Sequence, residues 1–270
     1  MKVQNKVIVI TGGGNGIGRE LVLKLLFKGA HVAAVDINAA ALQETVELAG
    51  VMKDKLSTHV VNITDKDAVA ALPEQVITKH GTVDGIINNA GIIQHFVRFN
   101  DLDYADIERV MNVNFYGTLY MTKAFLPHFL MRPEAHITNI SSMGGFLPVP
   151  GQTIYGAAKA AVKLFTEGLH SELSNTNVRV TVVFPGAIDT NIAANSGVRL
   201  SLFSESSDKQ RSIKPLAPSK AAQIIIDGME KDHYQILVGR DSAFMDFIYR
   251  VSPKHAAKFI FKLMQSLLPD

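Results

Sequence analysis

Seven short runs of β-branched and aliphatic residues recur along the chain, at Lys6–Thr11, His31–Ile37, Thr58–Asn62, Val83–Asn88, Ala135–Ser141, Val178–Phe184 and Gln235–Val238. Segments with helical spacing separate most of them. Strands joined by helices run parallel, and a parallel sheet is covered by helices on both faces, so this alternation limits the fold more than any other feature. The runs "VIVIT" and "VTVVF" agree, because a strand buried on both faces reads as continuous Val and Ile. Between the first two runs, Ile17, Leu21 and Leu25, with Val22 and Leu26 beside them, form a wide apolar stripe that predicts a helix over Ile17–Phe27 packed on the sheet. The expected fold is α/β: one doubly wound Rossmann domain over residues 1–270, with a central parallel sheet of about seven strands flanked by helices.

A chain of 270 residues, 47% hydrophobic and 19% charged, is long enough to bury a large core in one domain. A net charge of +2 gives no dense basic surface, so nucleic acid is not an expected partner. The absence of cysteine removes disulfides and thiolate chemistry. Residues 1–6 lead straight into Val7–Ile10, a run too short for a signal-peptide core, and no apolar run reaches the roughly 18 residues of a membrane span. A cytoplasmic location is expected. Two stretches stand outside the strand–helix rhythm. Residues 191–218, rich in Ser and Lys, read as a substrate lid. Residues 243–270 read as a helical extension made of Ala243–Val251 and Lys254–Leu268. Lys254, Lys258 and Lys262 make the second of these a basic amphipathic helix, which either packs on the domain or a partner subunit, or lies in a membrane interface.

After the first run comes Thr11-Gly12-Gly13-Gly14-Asn15-Gly16-Ile17-Gly18, followed by the helix. Glycines let the backbone turn sharply and approach a pyrophosphate, while the helix start directs free N–H groups at that anion. The strict G-x-G-x-x-G pattern is not met, since Ile17 stands three after Gly14, so the position between strand and helix carries the reading. Asp36 ends the second strand 20 residues after Gly16, where a carboxylate accepts hydrogen bonds from both hydroxyls of an adenosine ribose and repels a 2′-phosphate. Neither Asn15 nor Ile37 is basic, which favours NAD(H) over NADP(H). A plain glycine-rich turn and a strand-end Asp that caps the next helix are the competing readings.

Tyr155 and Lys159 stand four apart, on one face if helical. A phenol titrates near 10 unassisted, and a neighbouring ammonium together with a nicotinamide cation would stabilise the phenolate and make Tyr155 a usable acid/base. Y-x-x-x-K alone is common. Taken together, however, T-G-x-x-x-G-x-G at Thr11–Gly18, N-N-A-G at Asn88–Gly91, Asn114 in "NVNFYG", "NISS" at Asn139–Ser142, Tyr155 with Lys159, and "PGAIDT" at Pro185–Thr190 resemble the short-chain dehydrogenase/reductase (SDR) family in order and spacing. The resemblance spans roughly residues 5–240.

That resemblance implies a catalytic set of Asn114, Ser142, Tyr155 and Lys159. Tyr155 would exchange a proton with the substrate oxygen and Ser142 would position that oxygen, with Ser141 as the rejected neighbour. Lys159 would hold the nicotinamide ribose, and Asn114 would anchor a water linking that lysine to solvent. The implied cofactor contacts are Gly12, Asn15, Gly16, Ile17 and Gly18 in the cradle, Asp36 and Ile37 at the ribose, and Asn62 and Ile63 at the adenine. Asn89, Ala90, Gly91, Pro185, Gly186, Ile188 and Thr190 would line the rest, alongside Tyr155 and Lys159. Asn62 departs from the Asp usual in the family, although its amide oxygen can accept the same bond. The expected substrate wall is His95, Phe96, Met143, Phe146, Leu147, Gln152, Ile192, Val198, Leu202 and Phe203. It is mostly apolar, although a lone loop histidine is also ordinary surface.

The expected activity is NAD(H)-dependent interconversion of a hydrophobic secondary alcohol and its ketone, without a metal, by a homodimer or homotetramer. An NADPH-dependent 3-oxoacyl-type reductase is disfavoured by Asp36. A non-catalytic NAD(H)-binding regulatory or scaffold protein is disfavoured by the complete reacting centre.

Overall fold

Strands β1 (Val7–Thr11), β2 (His31–Asp36), β3 (Leu56–Val60), β4 (Gly85–Asn88), β5 (Ala135–Ile140), β6 (Val178–Pro185) and β7 (Gln235–Val238) form one sheet in the order β3-β2-β1-β4-β5-β6-β7. Every neighbouring pair is parallel. The computed structural model describes residues 1–198, 215–265 and 268.

Alternate side chains of each inner strand enter different cores. Ile8 and Ile10 pack with Leu21, Val22 and Leu25 of α1 (Gly16–Phe27), Leu42 of α2 (Ala39–Ala49) and Ile225, Ile226 and Met229 of α8 (Pro218–Glu230). Val7 and Val9 face the other way, onto Val69, Leu72 and Val76 of α3 (Lys66–His80), Met121, Phe125 and Phe129 of α5 (Thr118–Leu130), and Leu169 of α6 (Thr153–Glu172). Both faces being apolar is what makes β1 an unbroken Val/Ile run. The expected doubly wound fold is the one observed, and all seven strands lie where the β-branched runs place them, to within two residues at their ends. The fourth starts later, at Gly85; just before it the Asp84 backbone bonds to Val7 and His136, and its carboxylate accepts the Val7 N–H at 2.9 Å.

The chain order reverses between β1 and its neighbours β2 and β4, and a crevice opens there beyond the carboxyl ends of the strands. Helix α4 (Tyr104–Met111) runs into α5 through one π-helical stretch, Asn112–Gly117, an irregularity often found at functional sites. Past β7, α9 (Arg240–Val251) and α10 (Pro253–Met264) match the two expected helices. Ala256 and Ile260 of α10 are buried with Leu147 and Met245, so one side of the helix packs on this chain, while Phe259, Phe261 and Leu263 are exposed together with Lys254 and Lys258. Among the described residues no helix is long and apolar enough to cross a membrane.

Candidate active site

The crevice is a cavity of about 660 Å³, within the range of small-molecule and cofactor sites. Its floor is the β1–α1 turn. Gly12 and Gly16 have φ of +70° and +51°, the left-handed region that glycine tolerates without strain. Asn15 caps α1, its side chain accepting the Gly16 N–H at 2.7 Å. Thr11 fastens this turn to the next segment: its hydroxyl accepts the Asn89 and Ala90 N–H groups at 2.9 and 3.0 Å, and the Asn89 amide donates to the Thr11 carbonyl. Gly12, Asn15, Gly16, Ile17, Asn89, Ala90 and Gly91 all line the cavity. Gly18 does not. It is buried inside α1, where a Cβ would fall on the Gly12 carbonyl, so it lets helix and turn approach and has no face toward a ligand.

Asp36 and Ile37 form one rim with Asn62 and Ile63. The two Asp36 oxygens accept the Gly14 and Asn38 N–H groups, each at 3.0 Å. The carboxylate thus steadies both the glycine turn and Asn38, the residue that itself caps α2, while keeping an edge on the cavity. A cation beside the glycine turn is one the sequence reading passes over. Arg19 donates to the Gly14 carbonyl at 2.9 Å, but its other arm pairs with Glu44 at 2.6 Å, and it is not part of the wall. The Asn62 oxygen accepts both the Thr64 N–H and hydroxyl, at 3.1 and 2.9 Å, so an adenine amino group would compete with Thr64 for it.

The opposite wall carries Ser142, Tyr155, Lys159, Pro185, Gly186, Ile188 and Thr190. The first two are within hydrogen-bonding reach of each other. Ser142 also caps a short turn by accepting the Gly144 N–H at 3.0 Å, whereas the Ser141 hydroxyl is spent on the Lys159 carbonyl at 2.7 Å. Burial pushes the Tyr155 phenol above its ordinary value, with only the Ser142 hydrogen bond acting the other way. The expected help from Lys159 is not directed at the phenol here: its ammonium donates to the Ile140 carbonyl at 3.0 Å, and burial lowers it to about 8. Asn114 is fully buried behind the wall. Its amide exchanges two hydrogen bonds with the Ile92 backbone, at 3.0 and 2.8 Å, and does not turn back on its own helix. Gly91 lies between the two: a Cβ there would stand 2.8 Å from Asn114 Oδ1 and 3.2 Å from Lys159 Nζ.

The expected substrate wall divides. Phe96 and Ile192 line the cavity. His95 points outward to Asp106, 3.0 Å away, and is exposed. Met143, Phe146 and Leu147 pack with Met245 and Tyr249 under the C-terminal helices, since the chain leaving β5 turns its apolar side toward them. Gln152 is buried and donates to the Gln94 carbonyl, and Val198 is buried outside the wall. Leu202 and Phe203 lie outside the described residues, as does most of the proposed lid. Its described start is the short helix α7 (Ile192–Asn195), and Ile188 forms a bridge with Leu216 at its far end. The rejected Ser141 also lines the cavity, and the wall residues that the sequence reading misses include Ile92, Ile93, Arg109, Val113, Asn191 and Asn195. Arg109 and Val113 were within reach of it, because they are one turn apart on the face of the helix leading to Asn114.

A Rossmann crevice with a glycine turn on one side and a Ser–Tyr–Lys wall on the other defines a class of nucleotide-binding α/β protein. The short chain dehydrogenase family model matches residues 6–199. SadH of Mycobacterium tuberculosis, provisionally named an oxidoreductase, is 37% identical over 254 residues, covering 92% of this chain and 91% of its own. A short chain dehydrogenase/reductase from Burkholderia phymatum, solved with NAD, superposes with a TM-score of 0.84 at 24% identity, covering 94% of this chain and 96% of its own. A short chain dehydrogenase from Burkholderia cenocepacia, solved with NADP, gives 0.80 at 23%, covering 96% and 99%. The chain belongs to the short-chain dehydrogenase/reductase family and is an oxidoreductase of that family.

Proposed function

We propose that the cavity binds NAD(H) and that Tyr155 exchanges the hydroxyl proton of a hydrophobic secondary alcohol as it interconverts with its ketone. One observation carries this reading: Ser142, Tyr155 and Lys159 share a single cavity with the glycine turn and Asp36. The residues present suit a dinucleotide, since Gly12 and Gly16 hold left-handed backbone where a Cβ would crowd Asn89, Ala90 and Thr190 of the lining, and the start of α1 faces the same space. When bound, the nicotinamide supplies the hydride donor or acceptor. Asp36 would hold the ribose hydroxyls, and Thr190 with Ile188 would hold the carboxamide end.

Ser142 would donate to a substrate oxygen, and Tyr155 would give that oxygen its proton or take it away. Burial holds the phenol high, so it needs positive charge beside it to act as a base at neutral pH. The Lys159 ammonium, one helical turn on, is the chain's own source of that charge once it turns from Ile140. Asn114 holds the Ile92 backbone against this pair, in keeping with a proton path that leaves through Lys159. The apolar residues Ile92, Ile93, Phe96 and Ile192 suit a hydrophobic substrate.

Fluorescence titration with NADH and NADPH, followed by a panel of secondary alcohols and ketones, tests the reading. The expected result is tighter NADH binding and turnover that falls at least ~1,000-fold in Tyr155→Phe with NADH affinity retained. Tighter NADPH binding would overturn the cofactor assignment, and wild-type turnover in Tyr155→Phe would overturn the mechanism.

A further inference from the structure

Helix α6 begins without a cap of its own. Gln152, at its N-cap, makes no side-chain bond to the first turn. The first N–H groups of a helix have no partner within it and must find one elsewhere. Here Gln94, 60 residues earlier, supplies it: its Oε1 accepts the Ile154 N–H at 2.8 Å and the Tyr155 N–H at 3.0 Å, and its Nε2 donates to the Gly151 carbonyl at 2.9 Å. Gln152 returns the contact, its Nε2 donating to the Gln94 carbonyl at 2.8 Å. Gln94 is completely buried. Its two predecessors are tied down as well, Ile92 by Asn114 and Ile93 by the Ser196 hydroxyl at 3.0 Å.

We propose that Gln94 is the positioning residue for Tyr155, fixing the backbone from which the phenol reaches Ser142 and the substrate; this rests on the acid/base role given above to Tyr155. The residue type follows from the chemistry. Two N–H groups and one carbonyl must be satisfied in a buried space, and a primary amide alone offers both an acceptor and a donor at that length. A carboxylate would accept the two N–H groups but leave the Gly151 carbonyl unpaired, and its negative charge beside Tyr155 would oppose phenolate formation. An apolar side chain would leave two N–H groups bare and let the first turn shift, and displacements of about 1 Å at a reacting group cost on the order of 100-fold in rate.

The test uses Gln94→Met and Gln94→Glu in the full chain, with thermal melting to establish folding. In Gln94→Met, kcat should fall at least ~10-fold while the NADH dissociation constant stays within about twofold. In Gln94→Glu, part of kcat should return at high pH, with the pH-profile limb due to Tyr155 moved up by about one unit. Folded variants with wild-type kcat and an unmoved limb overturn the proposal. Tyrosine labelled with 13C at Cζ gives a readout that needs no turnover, the Tyr155 resonance being the one lost in Tyr155→Phe. If that resonance moves in Gln94→Met but no alcohol or ketone reacts with wild type, positioning stands and the acid/base reading falls. A resonance that stays in place overturns the proposal whatever the activity. Should Gln94→Met not fold, the same resonance and the limb in Gln94→Glu decide.

Discussion

The Asp241 carboxylate, in the first turn of α9, accepts the Ala187 N–H at 2.7 Å. It thereby fastens the segment after the last strand to the Pro185–Thr190 loop of the cavity wall. The neighbouring Ser242 hydroxyl donates to the Phe184 carbonyl at 2.8 Å, so two adjacent side chains hold the end of β6. A hydrogen bond to a charged acceptor contributes at most about 1.5–3 kcal/mol, and less where water reaches it, as at this exposed site. Asp241→Ala is expected to weaken NADH binding roughly 10-fold, with a smaller effect on stability, because the freed loop must be ordered again on binding. Isothermal titration beside a melting curve separates the two effects. Unchanged affinity would mean that the loop holds its shape without this bond.

Asp36 is expected to set cofactor choice. Replacing it by Ser removes the charge that opposes a 2′-phosphate, and the ratio of NADPH to NADH dissociation constants should fall at least ~10-fold. Part of the NADH affinity should be lost too, since the Asp36 bonds to Gly14 and Asn38 also shape the turn. Competition titrations with the two cofactors read the ratio directly, and an unchanged ratio would place the discrimination elsewhere.

His136 is expected to make the fold acid-sensitive. It is fully buried in β5. The Thr181 hydroxyl gives its proton to the His233 carbonyl at 2.7 Å, so at 2.9 Å from that hydroxyl His136 Nε2 is the donor and Nδ1 carries the bare lone pair. Burial, reinforced by the positive N-terminus and Arg179, lowers this imidazole from 6.5 to about 3. Because the folded value lies below the unfolded one, the unfolded chain binds the proton first as pH drops. Stability from this group is complete above pH 6.5 and is lost as pH falls toward the folded value, by about 3 kcal/mol at pH 4. His80, lowered to about 4, acts in the same direction. Melting temperature should therefore drop between pH 6.5 and 4, and His136→Gln, which keeps a donor for Thr181, should flatten the slope. An equally steep slope in that variant would assign the acid loss to other groups.

The fold was legible because its main signal is one-dimensional: strands buried on both faces write themselves as Val and Ile runs. The glycine turn, Asp36 and the Tyr155–Lys159 pair were also legible, since their neighbours in sequence largely set the local geometry. Direction was not. Met143 and Phe146 are apolar residues after a strand end, as a pocket wall requires, yet whether they face the crevice or α10 depends on a helix more than 100 residues later. Gln94 has no local signature at all, because its partners lie at the start of α6 and just before it, and it stands in a loop where a glutamine excites no notice. An acid in the first turn of a helix such as Asp241 reads as a helix-dipole residue, and nothing near it names Ala187 as its partner.

The strand order also has a bearing on how the molecule comes into being. During synthesis β1 meets β2 early, but its other edge waits for β4, and the Thr11 hydroxyl waits for Asn89, 78 residues on. The last fastening of the wall, by Asp241, requires almost the whole chain. Contacts so distant in sequence slow folding and leave an apolar strand edge open meanwhile. A ribosome-stalled chain ending before β7 should thus hold a partial sheet without a working crevice, and cofactor binding during translation would mark the moment the tail arrives.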